Sequence, residues 1–394
     1  MFRAEAEVRH WPAPVLGLAL TAVGLGGFYF GSYLIHIAGS AEVTDFTVYR
    51  SAVANWLAGG DLYAFAVTLP DGQLMPFTYP PFAAVLMMPS TWIPLSAGWV
   101  ISAVVQLGCL LSLAVLLARR TGVLAGLGAP EKATIVAAGW LALLAAEPSL
   151  HGIALGQVSL TLIAVVVLDL VAVPPRWRGL LTGLAAAVKL TPGIFLLYLL
   201  VTKQWAAAAR AAVAGLVATA IGFAVMPGPS WQYWTSLLFE TSRVGDPAVI
   251  RNKSLLGLLA HLGSTGSART TIWLAVAALV VVVGLWQARR THAHGAVVAA
   301  VITTGLVAAV ISPVSWPHHL VWLPLAGLYL AYCRAWRRWL GLAVCLGFMT
   351  GTPLLSYGAL PPGWAIAGDV VSVVLLVGAV LGVPGRPHGE VTRP

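Results

Sequence analysis

A few residues stand out because their chemistry is ill-suited to the stretches that carry them. Asp45 comes just beyond a long apolar run, in Thr44-Asp45-Phe46-Thr47-Val48-Tyr49, and Lys189 lies inside another, in Lys189-Leu190-Thr191-Pro192. His318 and His319 follow Ser312-Pro313-Val314-Ser315-Trp316-Pro317 at the predicted start of a helix. A carboxylate at a membrane–water boundary can accept a proton from a hydroxyl; the other reading of Asp45 is an N-cap. A lysine at depth costs about 2.5–3.5 kcal/mol and has to pair or reach water. Lys189 either meets an anion such as a lipid phosphate or serves structure, by snorkelling or by pairing with Glu147. Paired imidazoles at a helix start suit an anion, although a histidine can also be purely structural.

Other polar residues are read the same way, with both meanings kept. Arg251, Asn252 and Lys253 form a basic cluster that is either a phosphate contact or a solvated loop touching headgroups. Gln157, in Gly156-Gln157-Val158-Ser159, and Glu147 stand at the two ends of one loop, where they could bind a hydroxyl-rich ligand or cap helices. Asp169 is expected to pair with Arg176 or Arg178. Asp61 and Asp71, each beside a glycine, read as turn residues, and Glu42 as solvated. Neither H-E-x-x-H nor DxD occurs, so no metal is expected at the site and no cofactor is called for. Cys109, Cys333 and Cys345 all lie in apolar runs and read as inert thiols.

The elements that must position these groups are set by composition. Of 394 residues 59% are hydrophobic and only 9% charged, and the mean hydropathy is +0.88. A soluble domain carries about 25% charged residues. These values exclude a soluble enzyme, a disulfide scaffold and a disordered chain, and leave a polytopic helical membrane protein. Sixteen of the 22 basic residues fall in segments assigned to the cytoplasm, five fall on the other face, and Lys189 lies within an apolar run. That bias places both termini in the cytoplasm. The net charge of +9 is therefore a topology signal rather than the mark of a nucleic-acid partner.

Along the chain, Pro14 to Ile37 reads as an uncleaved first span, followed by a polar-aromatic loop whose Tyr49, Trp56 and Tyr63 suit an interfacial helix. Pro80 to Ser90 is too short to span and reads as re-entrant or interfacial. Gly179 to Val201 begins and ends at basic cytoplasmic residues, so the break at Lys189-Leu190-Thr191-Pro192 predicts a hairpin of two half-helices. With this hairpin counted as two, the expectation is an all-α protein of about twelve membrane segments. It forms one domain over residues 1–394, multi-pass in the plasma membrane, with the site on the extracytoplasmic side. No internal repeat is visible, which weakens a transporter reading.

Six short motifs then fall into place together: Asp45-Phe46-x-x-Tyr49, Phe77-Thr78-Tyr79-Pro80-Pro81, Gly156-Gln157-Val158-Ser159, Lys189-Leu190-Thr191-Pro192, Asn252-Lys253-Ser254-Leu255 and the segment Ser312–His319. In this order and on this topology they resemble glycosyltransferase family 87, enzymes of the GT-C class found in actinobacteria. The resemblance implies a mannosyltransferase that uses polyprenyl-phosphate mannose as donor and a glycolipid acceptor. It is nearest to enzymes that make an α-1,2 link on phosphatidylinositol mannosides, with lipomannan or lipoarabinomannan as the alternative acceptor. It also implies Asp45 as the external catalytic carboxylate, with Tyr49, Tyr79, Gln157, Lys189, Arg251, Lys253, His318 and His319 around donor phosphate and substrate. The family's usual Asn-Gln-Ser is Asn252-Lys253-Ser254 here, so the expectation for Lys253 rests on its own charge, which could contact phosphate, and not on the family's residue. A β-linked mannosyl phosphate gives an α product by one inverting displacement. The phosphate leaves already ionised, so cations, not a second carboxylic acid, are called for. The competing class is a glycolipid flippase or transporter with the same cationic cavity.

Overall fold

The computed structural model describes residues 44–68, 72, 74–333, 335–349 and 365–385. The expected first span, Glu42, Asp71, both termini and Arg334 lie outside the described residues. The chain opens with α1 (Thr44–Leu57), followed by a two-stranded antiparallel hairpin of β1 (Ala66–Thr68) and β2 (Leu74–Pro76), with Val67 opposite Met75. Among the described residues this hairpin is the one sheet, and the rest of the fold is helical as expected. The loop after α1 is pinned by the Asp61 carboxylate, which accepts from the amides of Tyr63 and Ala64 in the turn expected of it.

Short α2 (Pro81–Met87) starts with proline in its first turn, where no amide is missed, and runs into a 3₁₀ segment (Met88–Trp92). Arg50 of α1 donates to the carbonyls of Ser90 and Ile93 at 3.1 Å and so fixes α1 against that segment. Long α3 (Leu95–Arg120) and α4 (Ala129–Leu144) come next, and then α5 (Glu147–Leu155) in place of the expected loop. On α3 the buried Ala103, Gln106, Leu110, Leu113 and Leu117 form one stripe, while Val100, Ile101, Val104 and Leu111 point outward. An apolar outer surface is what a bilayer requires.

Helix α5 turns by 117° into α6 (Ser159–Val171). Gly156 makes that turn at φ +66°, with its amide on the Ile153 carbonyl and the Gln157 amide on the Gly152 carbonyl. A side chain there would also run into Phe46, 2.6 Å from where its Cβ would stand. The corner and the start of α1 are thus held together.

The predicted hairpin is present. Helix α7 (Leu180–Val188) rises to Lys189, a 3₁₀ turn (Thr191–Gly193) reverses the chain, and α8 (Ile194–Val201) returns. Its two ends meet, since Arg178 donates to Gln204 at 3.2 Å and Arg210 to the Arg178 carbonyl at 2.9 Å. Asp169 does not pair with Arg176 or Arg178 as expected. Its carboxylate accepts from the amides of Gly179 and Thr182 and from the Thr182 hydroxyl at 2.7 Å, capping the first turn of α7. A carboxylate at a helix N-terminus satisfies donors that no intrahelical bond reaches. Gly179 and Gly183, one turn apart, lie on the carbonyls of Ala207 and Ala211 in α9 (Trp205–Val225). Small residues at this spacing let two helix backbones touch.

The remainder comprises α10 (Pro227–Thr235), α11 (Leu255–His261), α12 (Gly266–Ala293), α13 (Val297–Ile311), α14 (Trp322–Ala331), α15 (Trp336–Gly347) and α16 (Ala365–Leu381). Among the described residues three helices, α3, α9 and α12, are long and apolar enough to cross a membrane, or four if the bent α5–α6 pair is one span.

Candidate active site

The elements leave a cleft of about 580 Å³, bounded by α1, the β-hairpin, the α5–α6 corner, the hairpin tip and the segment that carries the two histidines. Asp45, Tyr49, Tyr79, Gln157, Lys189, Arg251, His318 and His319 all line it. Lys253 does not: its ammonium is buried against the Ile250 carbonyl at 2.8 Å.

Gln157 is the hub. Its Oε1 accepts from the Val158 amide at 3.0 Å and lies 2.8 and 2.9 Å from the phenol oxygens of Tyr49 and Tyr79, themselves 2.9 Å apart. Burial pushes both phenols well above their ordinary range, so each keeps its proton. Nε2 of Gln157 reaches Oδ2 of Asp45 and Nε2 of His318, each at 3.2 Å. Asp45 sits in the first turn of α1 rather than ahead of it. Burial raises its carboxyl from 3.8 to about 6, an effect only partly offset by the Lys189 ammonium and the Gln157 bond.

Lys189 owes its position to the break between α7 and α8. It donates to Ser159 Oγ at 2.8 Å and to His319 Nε2 at 2.9 Å, and lies 5.3 Å from the centre of the Tyr79 ring. Its partners are therefore Ser159 and His319 rather than Glu147. An ammonium has three protons to give, so one remains beyond these two bonds. Lys189, Thr191, Ser312 and His319 also border a second, apolar pocket of about 50 Å³, whose walls are Leu162, Ile163, Val166, Pro192, Phe195, Ala308, Ala309 and Trp322. The lysine stands at the boundary between polar cleft and apolar pocket.

Two of the short motifs prove to be each other's support. Asn252 Oδ1 accepts from the amides of Ser254 and Ser315, its Nδ2 donates to Pro247 and Pro313, and Lys253 N donates to the Ser315 carbonyl. The Asn252–Ser254 segment thus braces the loop that presents His318 and His319. Sequence reasoning missed His151, whose ring stacks on His318 at 5.6 Å, and did not assign Arg243 to the site. Arg243 lines the cleft and donates to the Tyr63 carbonyl at 2.7 Å. His151 and Leu155, one turn apart, both face the cleft. That spacing is the one signal for His151, and an apolar helix offers many such pairs.

Fold and site together define a helical membrane protein whose buried cleft sets a carboxylate near a lysine. Residues 77–313 match the family model of glycosyltransferase family 87. A Mycobacterium tuberculosis polyprenol-phosphate-mannose-dependent alpha-(1-2)-phosphatidylinositol mannoside mannosyltransferase is 36% identical over 79% of this chain and 75% of its own. A protein of the same description from Mycolicibacterium smegmatis is 35% identical, over 75% and 70%. The M. smegmatis protein described as acting on phosphatidylinositol pentamannoside is 30% identical, over 84% and 80%. No solved structure matches the chain. The chain belongs to glycosyltransferase family 87, and it is an enzyme.

Proposed function

We propose that this enzyme moves mannose from polyprenyl-phosphate mannose to a phosphatidylinositol mannoside, forming an α-1,2 link with inversion at the extracytoplasmic face of the plasma membrane. The observation that carries this reading is the position of Lys189, at the seam of polar cleft and apolar pocket and electrostatically coupled to the Asp45 carboxylate. A donor with a charged phosphate between a sugar and a hydrocarbon chain needs such a seam. The mannose and acceptor occupy the cleft, the phosphate meets the remaining Lys189 proton, and the first isoprene units enter the apolar pocket that Phe195 and Trp322 border.

The chemistry is one displacement. The acceptor oxygen bonds to the anomeric carbon as the bond from that carbon to the phosphate oxygen breaks. The hydroxyl proton passes to Asp45, and the bonding electrons leave with the phosphate. A carboxyl held near 6 is ionised at neutral pH yet basic enough to take that proton. Developing negative charge on the leaving phosphate strengthens its bond to Lys189 in the transition state, which is the condition for catalysis. The wider reading has one domain over residues 1–394 with both termini cytoplasmic and about twelve membrane segments, the short helices included.

The test is reconstitution in proteoliposomes with radiolabelled polyprenyl-phosphate mannose and a phosphatidylinositol mannoside. The expected product is one hexose heavier and loses that hexose to an α-1,2-mannosidase. Translocation of lipid without sugar transfer would replace this reading by the flippase one.

A further inference from the structure

We infer that Gln157 is a positioning residue rather than a substrate ligand, one whose amide aligns Asp45 and forces His318 to be the neutral ring that carries its proton on Nδ1. The inference rests on counting donors and acceptors. The Val158 N–H can only donate, so the atom it meets on Gln157 is the carbonyl oxygen and the amide is oriented without ambiguity. The phenols of Tyr49 and Tyr79 have two protons for the three O···O contacts they form with each other and with that oxygen, so at least one proton goes to it. With the Val158 amide, both lone pairs of Oε1 are then occupied. The Nε2 end has two protons, and two acceptors face it, Asp45 Oδ2 and His318 Nε2. Nothing on this amide is left for a sugar hydroxyl.

The consequence for His318 follows directly. A ring nitrogen that accepts from an amide N–H carries no proton, so the proton of the neutral ring is on Nδ1. That Nδ1 is buried and has no partner among the described residues. His319 is locked as well, because its Nε2 accepts from the Lys189 ammonium. The two histidines therefore add no formal positive charge to the cleft, and Lys189 is the cation at its inner end.

The titratable and charged groups that share the cleft with Asp45 are Tyr49 on its own helix, Tyr79 ahead of α2, Lys189 at the hairpin tip, His151, His318 and His319, together with Tyr63, Tyr233, Glu240, Arg243, Asp246 and Arg251. Lys189 and the Gln157 amide are the two that favour its ionised form. Gln157→Glu is close to isosteric and keeps an oxygen for Tyr49, Tyr79 and Val158, but replaces both amide donations by a second carboxylate.

The pH arm of the test rests on the reading of Asp45 as the base; the spectroscopic arm does not. In the first, kcat and KM are measured across pH for wild type and Gln157→Glu. The expected result is a kcat lowered at least 10-fold at pH 7, an acid limb moved up by at least one pH unit, and a donor KM within threefold of wild type. An unmoved limb, or a raised KM with an unchanged kcat, would overturn the inference. In the second, 15N NMR of histidine-labelled wild-type protein locates the His318 proton, with the resonance assigned by its loss in His318→Phe. A proton on Nδ1 at neutral pH is expected; a proton on Nε2, or on both nitrogens, refutes it even if Gln157→Glu does not fold. Failure of the wild type to transfer sugar at all would count against the proposed function and leave the tautomer result standing.

Discussion

Lys189 and His319, 130 residues apart in the chain, meet with Nζ 2.9 Å from Nε2. An ammonium can only donate, so the imidazole is the acceptor. This contact and the one to Ser159 hold the lysine at the hairpin tip while leaving it one proton for an anion. A residue costly to place at membrane depth is thereby anchored by neutral partners, and its charge is not cancelled by a carboxylate in contact.

Lys189→Ala should lower kcat/KM for the mannosyl donor by about 10²–10³-fold, the scale of losing one charge-stabilising donor at a reacting oxygen. Lys189→Arg should recover less than a tenth of that loss, because a planar guanidinium cannot take the place of a compact ammonium between Ser159 and His319. Steady-state transfer with varied donor checks both. Wild-type donor kinetics in Lys189→Ala would remove the phosphate role.

Asp45→Asn should reduce transfer by about 10²–10⁴-fold, the usual contribution of a general base, with donor binding retained. The quantity to measure is single-turnover transfer at saturating donor alongside equilibrium donor binding. Transfer at the wild-type rate would show that another group takes the proton.

The raised carboxyl of Asp45 sets opposite pH trends for activity and stability. Activity needs the ionised form, so kcat/KM should fall as pH drops through about 6 and level off above it. Stability runs the other way, because the native carboxyl holds its proton more tightly than the unfolded chain does. Its contribution is fully present below about 3.8 and is lost as pH rises through about 6. At pH 7.5 the Asn variant should therefore melt no lower than wild type, with a gain capped at about 3 kcal/mol for a shift near two units. Thermal melts in detergent at pH 5 and 7.5 read this directly, and a lower melting point for the variant at pH 7.5 contradicts it.

Ala309→Phe should obstruct the apolar pocket next to Lys189. The donor with a full polyprenyl chain should then show a KM raised at least 10-fold, and an analogue with a two-carbon alkyl chain should not. Equal effects on both would place the hydrocarbon chain elsewhere.

Gly183→Val tests the support of the lysine. Its side chain would strike the Ala211 backbone, and overpacking of this kind costs about 1–3 kcal/mol. A lower melting point is expected, together with weaker donor use as the hairpin tip shifts. A stable, fully active variant would show that the α7–α9 contact does not set the Lys189 position.

The hairpin was legible because its two ends carry basic residues on one side of an apolar stretch interrupted at Pro192. The 3₁₀ turn at Thr191–Gly193 and the Arg178–Gln204 bond at its base agree with that reading. The partner of Asp169 is not legible in the sequence, because charge pairing by proximity ignores the open N-terminus that a returning helix presents. The α5 helix is not legible in the sequence, because nine residues with a proline at the second position carry too little period. Lys253 reads in the sequence as part of a basic cluster, yet its neighbour Asn252 does the bracing, through four bonds no spacing rule connects.

What the sequence determined by itself is the solvent and the inventory: too few charges for water, arginines gathered between the apolar runs, and a short set of polar residues with no reason to be in apolar runs. Hydropathy and charge are local properties, and a chain states them residue by residue. Only the tertiary structure decided how those residues divide their hydrogen bonds. It joined Gln157 to residues 112 positions before it and 161 positions after it, and it spent that amide on Asp45 and His318. Hydrogen-bond capacity is finite and directional, so whether a polar side chain serves a substrate or another side chain depends on which partners the packed helices bring within about 3 Å.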